Sequence, residues 1–542
     1  MPGARAAHWT VSALSRRPVV SALAAILAFF LATRLALLWR FPPFLDEANY
    51  AVWAKDVHDS GEERFVALAN GRGPLLSWLG ALLIWLRAAP LTAVRLVSIG
   101  SGLVSLGCVG VLGRRLGGVW TGVTAAGLYA VVPYFLVHDS IGLFEPLVTA
   151  LALLALVLQL RLAEEPRLDL ALLLGITLGA GLLAKESGRF ALLLLPASLL
   201  CFHWSRPELG RRLLRWLGAS VLAVAIAGAL YSIMKLSPLY AQLGAAKSAT
   251  EPIRSYGSAL HHPLRWLNTN WPGDRANFLG FVTGPLLVLA AIGVGLGLRQ
   301  RWRYGLLLLL WLLIPLGVAA LLVENTFARY TLQVVPPLVV FSAFGLVQIV
   351  RILSRVRVPA PALAAGVAAG IALLLLPAFV FDGQVLADPN TADYPGTSDD
   401  EYATGWPAGN AWVAAAHEID RLTGSGTTSL TVYDQGSNAF ALSLHTKLVP
   451  AGNDARYVIE NGRAIPTEHG PGELRPIWEY RRPRNGVVLR LYERGVTVGG
   501  RFYATPADLR SGLGLGDKEF DAYVGSHPEV KAWYDGVVSV GS

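Results

Sequence analysis

The chain has 542 residues, of which 54% are hydrophobic and only 15% charged, against about 25% charged in an ordinary soluble protein. So few charges cannot coat three or four soluble domains, and the chain reads as a polytopic membrane protein. The basic excess of +9 fits cytoplasmic loops facing anionic lipid rather than nucleic acid. The only cysteines, Cys108 and Cys201, lie in apolar runs, which argues against a disulfide scaffold or a cysteine metal cluster.

A bilayer core of about 30 Å needs roughly 20 mostly apolar residues per helix. Such runs lie near 18–39, 92–113, 118–136, 143–161, 168–184, 188–204, 214–235, 277–298, 303–323, 329–350 and 359–380, which predicts about eleven spans. The first is too long for a secretory signal and lacks its small-residue cleavage site, so it is expected to be retained. Residues 75–86 are ambiguous, and charge decides. With the N-terminus (1–17) inside and 75–86 not spanning, Arg114/Arg115, Arg161/Arg167, Arg206–Arg215, Arg299–Arg303 and Arg351–Arg357 all face the cytoplasm. A twelfth span would turn these clusters outward, against the positive-inside rule. The 75–86 piece is therefore expected to lie along the outer interface.

This topology leaves outside a first loop (41–91), a longer loop (236–276) and everything after 380. The span region is then 18–380. Residues 381–542 turn more polar, with strand-like pieces at Ser429–Tyr433, Arg456–Ile459 and Val487–Tyr492 and a helical piece at Ala411–Leu422. A C-terminal extracytoplasmic α/β domain is expected.

Polar groups near membrane depth are costly and are candidates for function. Asp46 and Glu47 follow Pro42-Pro43, which stop a helix, and sit where a new one is expected over 47–59. N-capping by Asp46 is the plain alternative. His138, Asp139 and Glu145 flank the entrance to the fourth span. Lys185 and Glu186 occupy a tiny turn between two apolar runs, and a snorkelling lysine paired with Glu186 is the plain alternative. Arg329-Tyr330 opens a late span, where a guanidinium wants an anion. His261-His262, in the 236–276 loop, reads as a surface pair rather than a metal site. That loop is a candidate lid or acceptor selector. The run Arg481-Arg-Pro-Arg484 suits anionic lipid, glycan or a solvated turn.

Two acidic clusters and two cations thus fall on one membrane face. That pattern suits a polyprenyl-phosphate sugar, with its chain in lipid and its phosphate at the headgroups. The cations would hold the leaving phosphate, and a carboxylate would take the acceptor's proton. No Walker loop or dinucleotide fingerprint is present, so no nucleotide donor is implied.

The sequence resembles the GT-C membrane glycosyltransferases, in particular the bacterial members of the protein O-mannosyltransferase and aminoarabinose transferase group. Leu45-Asp-Glu-Ala-Asn-Tyr50 resembles the first-loop acidic motif, and His138-Asp-Ser140 with Glu145-Pro146 resembles the second. Ser140 stands where relatives often carry Arg, and Glu145 where they carry Asp. Lys185, Arg329-Tyr330 with Pro336-Pro337, and Tyr402–Gly409 resemble further stretches of the same group.

The resemblance implies juxtamembrane helices in the first loop and an inverting displacement at the sugar's first carbon. Asp46, with Glu47 beside it, would be catalytic. Lys185, Arg329 and Tyr330 would bind the donor phosphate, and His138, Asp139 and Glu145 would position the acceptor or a divalent metal. No cofactor is fixed beyond the lipid-linked donor, and metal use is open. The acceptor is a protein, glycolipid or glycan, and the place is a bacterial cytoplasmic membrane with the site facing out. A transporter would need mid-membrane acids or broken helices in inverted repeats, and no repeat is seen. An oligosaccharide ligase or a non-catalytic assembly partner of the same fold are the remaining alternatives.

Overall fold

The computed structural model describes residues 3–250, 254, 256–324, 327–356, 359–424, 428–434, 444, 448–450, 455–465 and 472–541. Asn325, Thr326 and Arg357 lie outside the described residues. The chain divides into two compact units, residues 1–41 with 50–398, and residues 42–49 with 399–542.

The first unit is helical. Its elements are α1 (Gly3–Leu37), most of α2 (Leu45–Asp59), α3 (Leu75–Trp85), α4 (Pro90–Gly117), α5 (Val119–Val131), α6 (Pro133–Ser140), α7 (Phe144–Glu164), α8 (Leu168–Ala184) and α9 (Arg189–Leu193). Then come α10 (Leu209–Ser232), α11 (Leu243–Thr250), α12 (Tyr256–His261), α13 (Pro263–Asn277), α14 (Gly284–Gln300), α15 (Trp302–Leu322), α16 (Val335–Leu353) and α17 (Ala360–Ala387).

Among the described residues eight helices are long and apolar enough to cross a membrane, and the bent pair α5–α6 makes a ninth. This is fewer than the eleven expected, and the two missing runs have physical reasons. Helix α8 holds 17 residues, a rise of about 25 Å, short of a bilayer core of about 30 Å. The run 188–204 breaks into α9 and a 3₁₀ stretch, Leu195–Cys201. Pro196 lies in the break, and it lacks the N–H that would continue the helix. Helix α3 has 11 residues, about 16 Å, too short to cross, which agrees with its reading as a piece that does not span.

The arginine clusters meet at one end of the bundle. Arg115 forms a two-pronged bridge to Glu164, at 2.6 and 3.0 Å, joining the C-terminal ends of α4 and α7. Tyr304, at the start of α15, donates to the same carboxylate at 3.2 Å. Arg212 of α10 donates to the Glu164 carbonyl at 3.0 Å. Arg351 of α16 donates to the Gly117 carbonyl at 3.1 Å.

The 236–276 loop is mostly helical. Buried Arg254 fixes it to the end of α15, donating to the Leu322 carbonyl through its backbone (2.8 Å) and to Val323 through its guanidinium (2.6 Å). His261 and His262 sit exposed at the junction of α12 and α13.

The second unit carries a six-stranded sheet: β1 (Thr428–Asp434), β2 (Leu448–Pro450), β3 (Tyr457–Asn461), β4 (Glu473–Arg481), β5 (Val488–Val498) and β6 (Arg501–Tyr503). The order is β2-β1-β3-β5-β4, with β6 on β5. Pairs β2–β1 and β1–β3 are parallel, and the others are antiparallel. Helix α18 (Asn410–Thr423) lays Trp412, Ala415, Ala416 and Ile419 against Tyr457, Ile459, Leu489 and Leu491. Three further helices, α19 (Pro506–Leu513), α20 (Asp517–Ser526) and α21 (Pro528–Gly541), form a separate small core around Trp533.

The predicted strands and α18 are present within a residue or two at their starts. Strand β4 was not anticipated, since Pro476 interrupts its pattern at a bulge. The basic run is largely occupied internally. Buried Arg482 donates to the carbonyls of Val487 (2.9 Å) and Ala408 (3.2 Å), and burial lowers its pKa to about 10. Arg484 bridges to Asp399.

Candidate active site

The acidic motif of the first loop folds as part of the second unit. Leu45 donates its N–H to the Pro407 carbonyl at 3.3 Å. Phe44 meets Tyr402 edge-on at 5.2 Å, and Ala48 lies in the core beneath the sheet. A side chain at Gly409 would strike the Pro43 carbonyl at 1.8 Å, so only glycine admits this close pass. The first turn of α2 is capped backwards: buried Glu47, the third helical residue, accepts from the Phe44 N–H at 3.4 Å. This is one half of a capping box. Asp46 is half-buried.

In the first unit, five of the predicted residues come together. Glu145 lies in the first turn of α7, where a helix N-terminus favours a carboxylate. Lys185 ends α8 in an extended conformation and donates to Glu145 at 2.7 Å. Its ammonium also sits 4.7 Å from the centre of the Tyr330 ring, and the Arg329 guanidinium is 5.3 Å from the same ring. Arg329 lies within electrostatic reach of Glu145 and His138. Lys185, Arg329 and Glu145 sum to +1, and buried charges of this kind attract an anion more strongly than in water. Lys185 thus pairs with one of the acids, Glu145, and Glu186 pairs with Arg189 at 3.4 Å.

The 3₁₀ stretch Ala328–Val334 carries Arg329 and Tyr330 and is fixed from two sides. Tyr134 donates to the Ala328 carbonyl at 2.6 Å, and Gln333 donates to Ser187 at 2.9 Å. Buried His138 stacks on Tyr134 at 5.1 Å, and its Nδ1 donates to the Tyr134 carbonyl at 2.7 Å.

Arg72 was missed by sequence reasoning. It lines a small pocket together with Lys185, Glu186, Tyr231 and Met234. Its signal was the Gly71-Arg-Gly73 triplet. Gly71 takes a left-handed φ of 73°, and a side chain at Gly73 would meet the Leu183 carbonyl at 2.0 Å. The loop can approach the end of α8 only through these glycines. Gly73→Ala is expected to cost about 1–3 kcal/mol of stability through overpacking. Gly61→Ala, with nothing within 4 Å, should stay within about 0.5 kcal/mol. Denaturant midpoints of the two variants check this, and equal midpoints would refute the close-approach argument.

Asp139 turns elsewhere. It faces Arg34 of α1 at 3.9 Å, and Tyr129 donates to it at 3.4 Å. A side chain at Gly102 would collide with its carboxylate at 2.5 Å. Asp382 of α17 lies within electrostatic reach of Arg34. Arg34 stands inside an apolar run and Asp382 two residues past the end of another, a signal that the sequence carries. Among the described residues no group of three or more His, Cys, Asp and Glu side chains could hold a metal ion.

Residues 71–231 match the family model of the dolichyl-phosphate-mannose-protein mannosyltransferases. That stretch contains Arg72, His138, Asp139, Glu145 and Lys185. No curated protein sequence matches the chain. Among solved structures, ArnT from Cupriavidus metallidurans in the apo state is 14% identical, with a TM-score of 0.56 over 88% of this chain and 98% of that one. The same protein bound to undecaprenyl phosphate gives 14% identity and a TM-score of 0.52 over 87% and 97%. The apo oligosaccharyltransferase of Archaeoglobus fulgidus gives 14% and 0.51 over 82% and 69%. The chain is a polytopic membrane protein that shares the fold of these solved structures, and its residues 71–231 are similar to the dolichyl-phosphate-mannose-protein mannosyltransferases.

Proposed function

We propose that the chain is an inverting glycosyltransferase, moving a sugar from a polyprenyl-phosphate donor to an acceptor on the outer face of a bacterial cytoplasmic membrane. The observation that carries this is the pairing of Lys185 and Arg329 over one aromatic ring, beside Glu145. The group sits at the ends of α8 and α16 remote from the arginine clusters. By the positive-inside rule that end faces out, as would residues 381–542. The fold it shares with a protein solved bound to undecaprenyl phosphate supports the donor class.

In the reaction, the acceptor's lone pair attacks the sugar's first carbon. The bond from that carbon to the phosphate oxygen breaks, and polyprenyl phosphate leaves with the electron pair. The acceptor's proton passes to Asp46. Lys185 and Arg329 stabilise the charge that grows on the departing phosphate. Glu145 holds Lys185 in place, and Arg72 extends the positive lining into the adjoining cavity. Asp139 and His138 act through the position of α6. The helical 236–276 segment selects or covers the acceptor.

Lys185→Gln and Arg329→Gln are each expected to lower transfer by about 10²–10³-fold, as for loss of one preorganised charge-stabilising donor. The assay is a panel of radiolabelled polyprenyl-phosphate monosaccharides with the full chain in lipid. Binding and consumption of a donor that are unchanged in both variants would sink the phosphate assignment. A folded wild-type chain that consumes no donor would sink the transferase reading.

A further inference from the structure

A groove of about 530 Å³ opens at the other end of the helical unit. Helix α5 contributes Trp120, Val123, Thr124, Gly127, Leu128 and Val131, a 3.6-period stripe. Helix α16 contributes Leu346, Val347, Val350 and Arg351, and α17 contributes Val367, Ile371 and Leu375. The gap has a local cause. Helix α17 begins with alanines and glycines, and only 6% of its most apolar stretch is buried. It stands off its neighbours, and Gly127 offers no side chain to fill the space.

Length says what fills it. From Trp120 to Val131 the groove runs for about 16 Å of helix, close to the roughly 15 Å of hydrocarbon in one leaflet. The lining is apolar except for Thr124 and Arg351. Arg351 stands exposed at the mouth. Its hydrogen bonds go to neutral acceptors, the Gly117 carbonyl at 3.1 Å and the Gln348 amide at 3.5 Å. Among the described residues no carboxylate pairs with it. Exposed Arg114 and Arg355 lie at the same helix ends. Trp120, half exposed, suits the headgroup level.

We infer that this groove is a lipid site that takes an acyl chain of an anionic phospholipid, with the headgroup phosphate on Arg351. It is separate from the Lys185–Arg329 group. The two lie at opposite ends of α16, from residue 335 to residue 351, about 24 Å of helix. The site therefore does not depend on the proposed reaction. A phospholipid held there fills the gap left by α17.

Native mass spectrometry of the purified full chain tests this, with phosphatidylglycerol and phosphatidylcholine of matched chains titrated in separately. The first phosphatidylglycerol adduct is expected at about fivefold lower concentration, the effect of one basic residue near an anionic surface. Arg351→Gln should remove that preference, and Gly127→Phe should remove the adduct for both lipids. Size-exclusion profiles and melting temperatures verify that both variants fold. Arg351 is exposed, so its variant keeps the test valid if Gly127→Phe does not fold. Equal binding of the two lipids by the wild-type chain would overturn the proposal, as would a preference that survives Arg351→Gln. Polyprenyl phosphate that displaces phosphatidylglycerol and depends on Arg351 would overturn the choice of occupant.

Discussion

An Asp46→Asn chain is expected to transfer sugar about 10²–10⁴-fold more slowly, the range for loss of a positioned proton acceptor, while remaining folded. The local structure separates chemistry from stability here. Glu47 supplies a back-bond that starts α2, and Asn caps a helix about as well as Asp, so Asp46→Asn leaves the first turn intact. Glu47→Ala makes the opposite change. It should cost about 1 kcal/mol, the usual worth of a lost cap, and leave transfer per folded molecule nearly unchanged. Donor turnover measured beside melting temperature reads both. If Asp46→Asn kept more than about a tenth of wild-type turnover, below even the smallest expected loss, the base would lie elsewhere. If Glu47→Ala abolished turnover in a folded chain, the role would move to Glu47.

The membrane architecture was largely legible because bilayer thickness sets helix length and arginine sets sidedness. The interfacial reading of 75–86 came from charge alone, and the 11 residues of α3 agree with it. The span count was overestimated because apolar composition does not report a backbone break. Leu168–Ala184 and 188–204 are as apolar as true spans, yet one is short and the other contains Pro196. The grouping of Glu145 with Lys185 was partly visible from sidedness, but which acid meets the lysine depends on three-dimensional packing. Glu145 is 40 residues away in sequence and bonds Lys185. Arg72 escaped because its importance lies in two neighbouring glycines that permit a close approach, a feature with no periodic signature. Similarly, the pattern gave no hint that 42–49 folds with residues 399–542.

Removing Arg34 is expected to destabilise the chain more than removing the whole charged cluster. Arg34, Asp139 and Asp382 are nearly or fully buried, on three helices that pack near the same bundle end. Arg34 donates through one terminal nitrogen to the Ala130 carbonyl at 2.7 Å and to Thr33 at 3.0 Å, and its charge offsets two carboxylates. Arg34→Met alone strands both acids in a low-dielectric interior, which should cost about 3–5 kcal/mol. Combining Arg34→Met with Asp139→Asn and Asp382→Asn removes every charge together, and neutral replacement of a buried cluster is often close to neutral in stability. The triple variant should therefore recover most of the loss. Denaturation midpoints in lipid–detergent mixtures compare the two. A triple variant no more stable than Arg34→Met would show that packing, not charge, dominates at this site. Asp139→Asn alone adds a functional arm. Lost transfer at unchanged stability would return Asp139 to acceptor positioning, whereas lost stability with preserved turnover per folded molecule assigns it to the anchoring of α6. The second outcome is expected, because Asp139 faces Arg34 and Tyr129 rather than the Lys185–Glu145 pair.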